Sequence, residues 1–330
     1  MSARSFAMRG GALAAVVAIA AVGSSCGADF DPGSRITDLR VMAVRADVPY
    51  AKPGEAVNLD SLWFDPHMKD PARSRQWAWA TCVDPIASDV VSCLQSIAQE
   101  VQRTHKPPQL IIGNDQDVFK LTVPADAISR LPPEARRSAI VGVITIVCPG
   151  TIQLPKDFSQ LSRTDLPIKC VGAGGVDLPI DQWVLGIKRI FVRGNDRNAN
   201  PKVARVTWDG ADWPKDEIKE VSACSDDGNR YDKCVDQEHH DVALTLTDDS
   251  YESGTDEFGT SFQEQVIVEY YATEGLFEHD VKVAKQPTTG FAARQQSRAP
   301  ANEGGIITVF MVAHDNRGGV AWEERKVHVK

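Results

Sequence analysis

Cysteine usage constrains this chain more than any other feature of its sequence. It has seven cysteines. One, Cys26, stands directly behind a short apolar run. The other six, Cys82, Cys93, Cys148, Cys170, Cys224 and Cys234, fall into three close pairs along the sequence. No pair has the two-to-four-residue separation of a structural zinc site. A chain with an export-type start delivers its thiols to a compartment where disulfides persist. Six thiols allow 15 connectivities, and sequence proximity favours Cys82–Cys93, Cys148–Cys170 and Cys224–Cys234. Each bridge would be worth about 3 kcal/mol in the chain-entropy description. No metal and no cofactor are expected.

Residues 1–25 read as a signal peptide. Arg4 and Arg9 supply a positive end, residues 13–22 are almost wholly apolar, and Gly23, Ser24 and Ser25 are small. The apolar run is shorter than the ~20 residues a permanent membrane helix needs. The stretch Val22-Gly23-Ser24-Ser25-Cys26 resembles the lipobox of bacterial lipoproteins, with Gly23 where most such boxes carry Leu. The resemblance implies that Cys26 is the lipidated first residue of the mature chain and that the lipid attaches it to a membrane. Gly27 stands where an Asp commonly retains such proteins in the inner membrane. The implied place is therefore the outer membrane, on its periplasmic or surface face. Ordinary cleavage after Ser25 is the competing outcome, and it would leave Cys26 as a free thiol, a liability under oxidising conditions.

Charge narrows the partners. Removing residues 1–25 takes Arg4 and Arg9 from the 36 Lys+Arg and nothing from the 45 Asp+Glu, leaving a net charge of −11. Such a surface repels phosphate backbones, so nucleic acid is not an expected partner. The remaining length suffices for two domains of ordinary size.

Short strand-like runs separated by Pro, Gly and Asp dominate, the pattern of an all-β chain built of sandwiches. After a tether over residues 26–35, residues 36–46 are β-rich, and Pro53-Gly54 marks a turn. Val57, Leu59 and Trp63 then alternate with Asn58, Asp60 and Leu62. Trp77 and Trp79 alternate before Cys82, and further strands are expected at residues 118–123, 140–148 and 183–193. Residues 88–102 read as a short helix carrying Cys93, with Ser88 or Asp89 as cap. Pro-rich insertions lie around residues 131–133 and 154–167. The turn formers at residues 194–201 place a domain boundary there, giving domains over 36–197 and 198–330. The second repeats the first in pattern, with strands at 203–208, 242–247, 266–272, 305–314 and 320–329. The last two form a hairpin turning through Asp315-Asn316-Arg317-Gly318-Gly319.

The segments Leu39-Arg40-Val41-Met42-Ala43-Val44-Arg45-Ala46, Lys52-Pro53-Gly54-Glu55, Trp77-Ala78-Trp79-Ala80-Thr81-Cys82 and the closing residues 314–322 resemble lipoproteins of Gram-negative bacteria that carry immunoglobulin-like domains. The resemblance implies two immunoglobulin-like β-sandwich domains with short helical insertions. The cysteines depart from the antibody pattern, because Cys82 follows the tryptophan strand. The first domain, at about 160 residues, also exceeds the ~100 of a plain immunoglobulin fold.

Three constellations could carry chemistry. Glu238-His239-His240-Asp241 beside Cys234 has metal-ligating side chains, but adjacent strand residues point to opposite faces. A solvated loop is the expected setting. Oxygen-rich loops at residues 195–200, 226–232 and 248–257 have calcium-type ligands without EF-hand spacing, and turn chemistry explains them more simply. Trp63, Trp77, Trp79, Trp183, Trp208, Trp213 and Trp322, with Tyr270 and Tyr271, could stack on sugar if they faced outward. Core packing is expected for most, and Trp213, between Asp212 and Pro214, is the candidate for exposure. No hydrolase elbow, zinc-protease helix, phosphate loop or dinucleotide fingerprint occurs. No catalytic residue is therefore assigned. The expected role is non-catalytic, binding or structural display at the envelope toward a protein or glycan. The alternative is a secreted hydrolase or carbohydrate-binding module acting on envelope or extracellular polymer.

Overall fold

The computed structural model describes residues 32–67, 75–83, 90–104, 110–114, 117–154, 168–226, 229–294 and 305–330. Cys26, the signal-like segment, Ser88, Asp89, residues 155–167 and the Asp227-Gly228 pair lie outside the described residues.

The first sandwich is built from strands β1 (Arg40–Ala46), β2 (Tyr50–Ala51), β3 (Ala56–Phe64), β4 (Gln76–Val83), helix α1 (Val90–Thr104), β5 (Leu110–Asn114), β6 (Val118–Thr122), β7 (Ile140–Cys148), β8 (Thr151–Gln153), β9 (Lys169–Val171) and β10 (Val184–Val192). One sheet runs β1-β3-β6 and the facing sheet runs β2-β10-β7-β4-β5. The second sandwich contains β11 (Val203–Trp208), β12 (Ala211–Asp212), β13 (Ile218–Val221), β14 (His239–Leu246), β15 (Ser253–Thr255), β16 (Ser261–Gln263), β17 (Val266–Ala272), β18 (Leu276–Phe277), β19 (Val281–Val283), β20 (Thr289–Ala292), β21 (Ile306–Asp315) and β22 (Val320–Val329). Its sheets run β12-β11-β14-β20-β18 and β13-β22-β21-β17-β19. In both sandwiches a short strand joins the last strand in parallel, β2 on β10 and β13 on β22. The rest is antiparallel, in the two-sheet order of immunoglobulin-like folds. The chain is all-β with immunoglobulin-like sandwiches.

Alternation decides which side chains fill each sandwich. Trp77 and Trp79 of β4 point inward with Val57 and Leu59 of β3, and Trp79 stacks on Phe119 with centroids 5.3 Å apart. The β7 run Ile-Val-Gly-Val-Ile-Thr-Ile-Val-Cys is apolar almost throughout because both its faces are covered. Val141, Val143 and Val147 enter the sandwich. Ile144, Ile146 and Cys148 face a second small core made with Cys93 and Leu94 of α1 and with Ile152, Ile168 and Cys170. That outer layer accounts for the enlarged first sandwich. The bridges Cys82–Cys93 and Cys148–Cys170 both lie in it. Gly142 pairs with Cys82 across the strands, and a Cβ on it would sit 2.8 Å from the Cys82 sulfur.

The two sandwiches meet through residues that alternation along single strands assigns to solvent. Leu62 and Phe64 lie on the outward face of β3. A bulge between Val41 and Ala43 turns Met42 and Ala43 the same way. These residues pack with Ile36 against Phe310, Val312 and Val320 of the second sandwich. Arg45 lies 4.2 Å over the ring of Trp322, and Arg40 lies 4.8 Å over that of Tyr271.

Candidate functional site

The connection at residues 194–201 is tightly tied to both sandwiches. Asn200 donates to the Ala46 carbonyl at 2.7 Å and accepts from the Val320 amide at 2.9 Å. Asn198 donates to Asp315 and to the Arg317 carbonyl, each at 3.3 Å. The β15–β16 hairpin reaches across from the second sandwich. Its Glu257 carboxylate accepts from the amides of Gly194 at 3.1 Å and Asn195 at 2.6 Å. At the tip of the β21–β22 hairpin, Arg317 is buried. It donates to Glu252 and Glu264 at 3.1 Å each and to the Arg197 carbonyl at 3.0 Å. Its guanidinium covers Phe262 at 3.8 Å and Tyr50, from the first sandwich, at 4.8 Å. Burial pushes the Glu264 carboxyl up, and the Arg317 charge opposes that shift.

The acidic residues weighed for calcium are thus partly committed elsewhere. Glu257 and Asp196 bind backbone amides, Glu252 pairs with Arg317, and Asp249 holds Lys202 at 2.5 Å.

The histidine cluster lies in a strand, correcting the expected loop. His239 and His240 are the first two residues of β14 and point to opposite sides. His239 stacks on Tyr231 with centroids 4.2 Å apart, and its Nε2 lies 3.2 Å from the Tyr231 carbonyl. His240 Nδ1 sits 2.9 Å from Asp209 and its ring lies against Trp208. Cys224, Cys234 and Glu238 lie close enough together to suggest a metal site, but the two sulfurs are bonded to each other. Glu238 accepts from the amides of Ser225 and Val235, which hold its carboxyl below the usual range.

Trp213 is buried, against the expectation of exposure. Although flanked by Asp212 and Pro214, it folds inward from the β12–β13 connection, meets Trp208 edge-on at 4.7 Å and donates to the Glu217 carbonyl at 3.0 Å. Trp63 and Trp322 are half-buried under arginines, and the other tryptophans are buried. Tyr270 is fully buried, and its hydroxyl reaches the Pro287 carbonyl.

Sequence reasoning missed a cleft of about 330 Å³ on the open flank of the first sandwich. Its walls are Val41–Val44 of β1 and Val184–Lys188 of β10, with Thr145 of β7 and with His314 and Val320 from the second sandwich. Among the described residues, only the far end of β10 is paired on this side, at Phe191 and Val192 with β2. Thr145 and Gly186 are cross-strand partners on the inward face. Lys188, two residues on, is buried, and its Nζ donates to the Gly318 carbonyl at 2.7 Å. Burial lowers its pKa to about 8, partly opposed by the charge of Asp315. His314 Nε2 lies 3.3 Å from Glu269, and this bond holds the Glu269 carboxyl below the usual range. The lining contains a lysine, a histidine and a threonine and no carboxylate.

No protein-family model and no curated protein sequence matches this chain. Among solved structures it is loosely similar to dimeric latent PorU from Porphyromonas gingivalis, at 10% identity and a TM-score of 0.21, covering 89% of this chain and 24% of that one. It is also similar to the N-terminal Ig1-2 module of the Drosophila receptor protein tyrosine phosphatase DLAR, at 8% identity and a TM-score of 0.23, over 89% of this chain and 99% of that one. At that distance nothing about function passes from either protein to this chain. Its immunoglobulin-like character stands on its own strand order.

Proposed function

We propose that this chain is a non-catalytic, lipid-anchored protein of the bacterial outer envelope that presents two joined sandwiches for binding or structural display. The carrying observation is the junction. The buried Arg317 latch, the amide-binding Glu257 and the apolar contact around Leu62 and Phe310 hold the two sandwiches in one arrangement. The described end of the tether, residues 32–35, joins the same unit, since the Ile36 amide donates to the Ala272 carbonyl and the Ala272 amide to that of Ser34, each at 2.9 Å. A lipid on Cys26 would therefore carry the pair from a defined point on the second sandwich. Edge strands offer contact surface, with Ile111 and Ile112 exposed on β5 and Val281 and Val283 on β19, each an edge among the described strands. Among the described residues, a cleft without carboxylates and covered tryptophans support this reading over a polysaccharide hydrolase or a sugar-stacking module, which need paired acids or open aromatic faces. The test is fractionation of cells expressing the chain and its Cys26→Ser variant. The wild type is expected with outer membranes and the variant in the soluble fraction. Identical distribution of the two would overturn the anchor.

A further inference from the structure

We propose that the cleft between β1 and β10 is a binding site for an aliphatic carboxylate, with the acid group held by Lys188 and Thr145 and the tail lying along Val41, Val44 and Val184. This goes beyond the display role and does not depend on the lipid anchor.

Three observations lead there. Thr145 is 1% exposed, and its Oγ1 has no hydrogen-bond partner among the described residues, an arrangement that costs about 1–3 kcal/mol unless something fills it. Gly186, directly across from it, is not required by its surroundings. Its backbone is outside the left-handed region, and a Cβ there would meet nothing within 4 Å. A mid-strand glycine weakens the strand by roughly 0.5–1 kcal/mol, and here the missing side chain leaves space over Thr145. Lys188 brings a buried ammonium with three donors, of which one is engaged among the described residues, by the Gly318 carbonyl. The acid whose charge acts on it, Asp315, already accepts from the Arg317 and Gly319 amides and from Asn198.

Together these form a half-open, mainly apolar cleft whose lining holds a hydroxyl without a partner and a buried ammonium without an ion pair among the described residues. An alkane would leave both unsatisfied. An alcohol or ester could meet the hydroxyl but would leave the buried charge uncompensated. A carboxylate accepts from both groups in charge-assisted hydrogen bonds. The volume lies at the small end of ligand pockets, which suits one medium-length chain.

The test is calorimetric titration at pH 7 of the full chain carrying Cys26→Ser, so that no detergent competes, with dodecanoate, dodecan-1-ol and acetate. Dodecanoate is expected to bind one per chain, and the alcohol and acetate at least about tenfold more weakly. Lys188→Met should weaken dodecanoate about tenfold and leave the alcohol unchanged. Gly186→Leu should abolish binding. Thr145→Val, which removes a hydroxyl with no partner among the described residues, should weaken binding several-fold without loss of the native circular dichroism spectrum. Equal binding of alcohol and acid, undiminished binding by Gly186→Leu or Thr145→Val, or no dodecanoate binding would each overturn the proposal.

Discussion

Asp196 and Glu257 bind each other's backbone. The Glu257 amide donates to the Asp196 carboxylate at 2.9 Å, and the Asp196 amide donates back to Glu257 at 3.4 Å. One residue lies in the connection between the sandwiches and the other on a hairpin of the second. The exchange converts a run of turn formers into a fixed joint.

Removing Glu257 should loosen that joint. Glu257→Ala strips the partner from the Gly194, Asn195 and Asp196 amides and is expected to cost about 1–2 kcal/mol in urea denaturation. It should also speed tryptic cleavage after Arg197. Unchanged cleavage kinetics would show that the joint is held by other contacts.

The Arg317 latch should be worth more. Arg317→Ala leaves Glu264 buried without its cation, a change expected to cost about 3 kcal/mol. Adding Glu264→Gln should recover part of the loss, because the neutral amide needs no counter-charge. Additive losses in the double variant would contradict the pairing.

Lys188 carries a signed pH dependence. Its folded pKa of about 8 lies below the ordinary value of 10.5, so the unfolded chain binds the extra proton between those limits. The penalty is fully present below pH 8 and fades as pH rises toward 10.5. At pH 7 Lys188→Met is therefore expected to be more stable than the wild type by about 1–3 kcal/mol, net of the lost bond to Gly318. The difference should shrink through pH 8–10. Taking it against the variant cancels the buried Tyr270 and the half-buried Tyr271, whose raised pKa values lower stability above pH 10 in both proteins.

Gly142 should tolerate no side chain while the bridge above it is intact. Gly142→Val drives a methyl into Cys82 and Cys93 and is expected to cost several kcal/mol by overpacking. A thermal melt of the oxidised protein checks this, and a loss below about 0.5 kcal/mol would contradict the packing.

Strand positions were legible because alternation and turn chemistry are local. Val57 and Leu59 face inward as their spacing implies, and proximity along the chain anticipates the three cysteine pairs. What escaped depends on partners far away in sequence. Leu62 alternates toward solvent along β3 but is covered by Phe310 and Val312. Trp213 sits between an aspartate and a proline, yet its connection closes over the sandwich core. The cleft needs Gly186 opposite Thr145, a register set by β7 and β10, and a hairpin from the other sandwich behind Lys188. No window of sequence contains all three.

The central claim is most directly tested by the intact mass of the protein extracted from membranes, before and after reduction. The account predicts a chain beginning at Cys26 with two or three acyl groups, gaining two hydrogens for each of three bridges on reduction. An unacylated terminus, or free thiols among the other six cysteines, would contradict it.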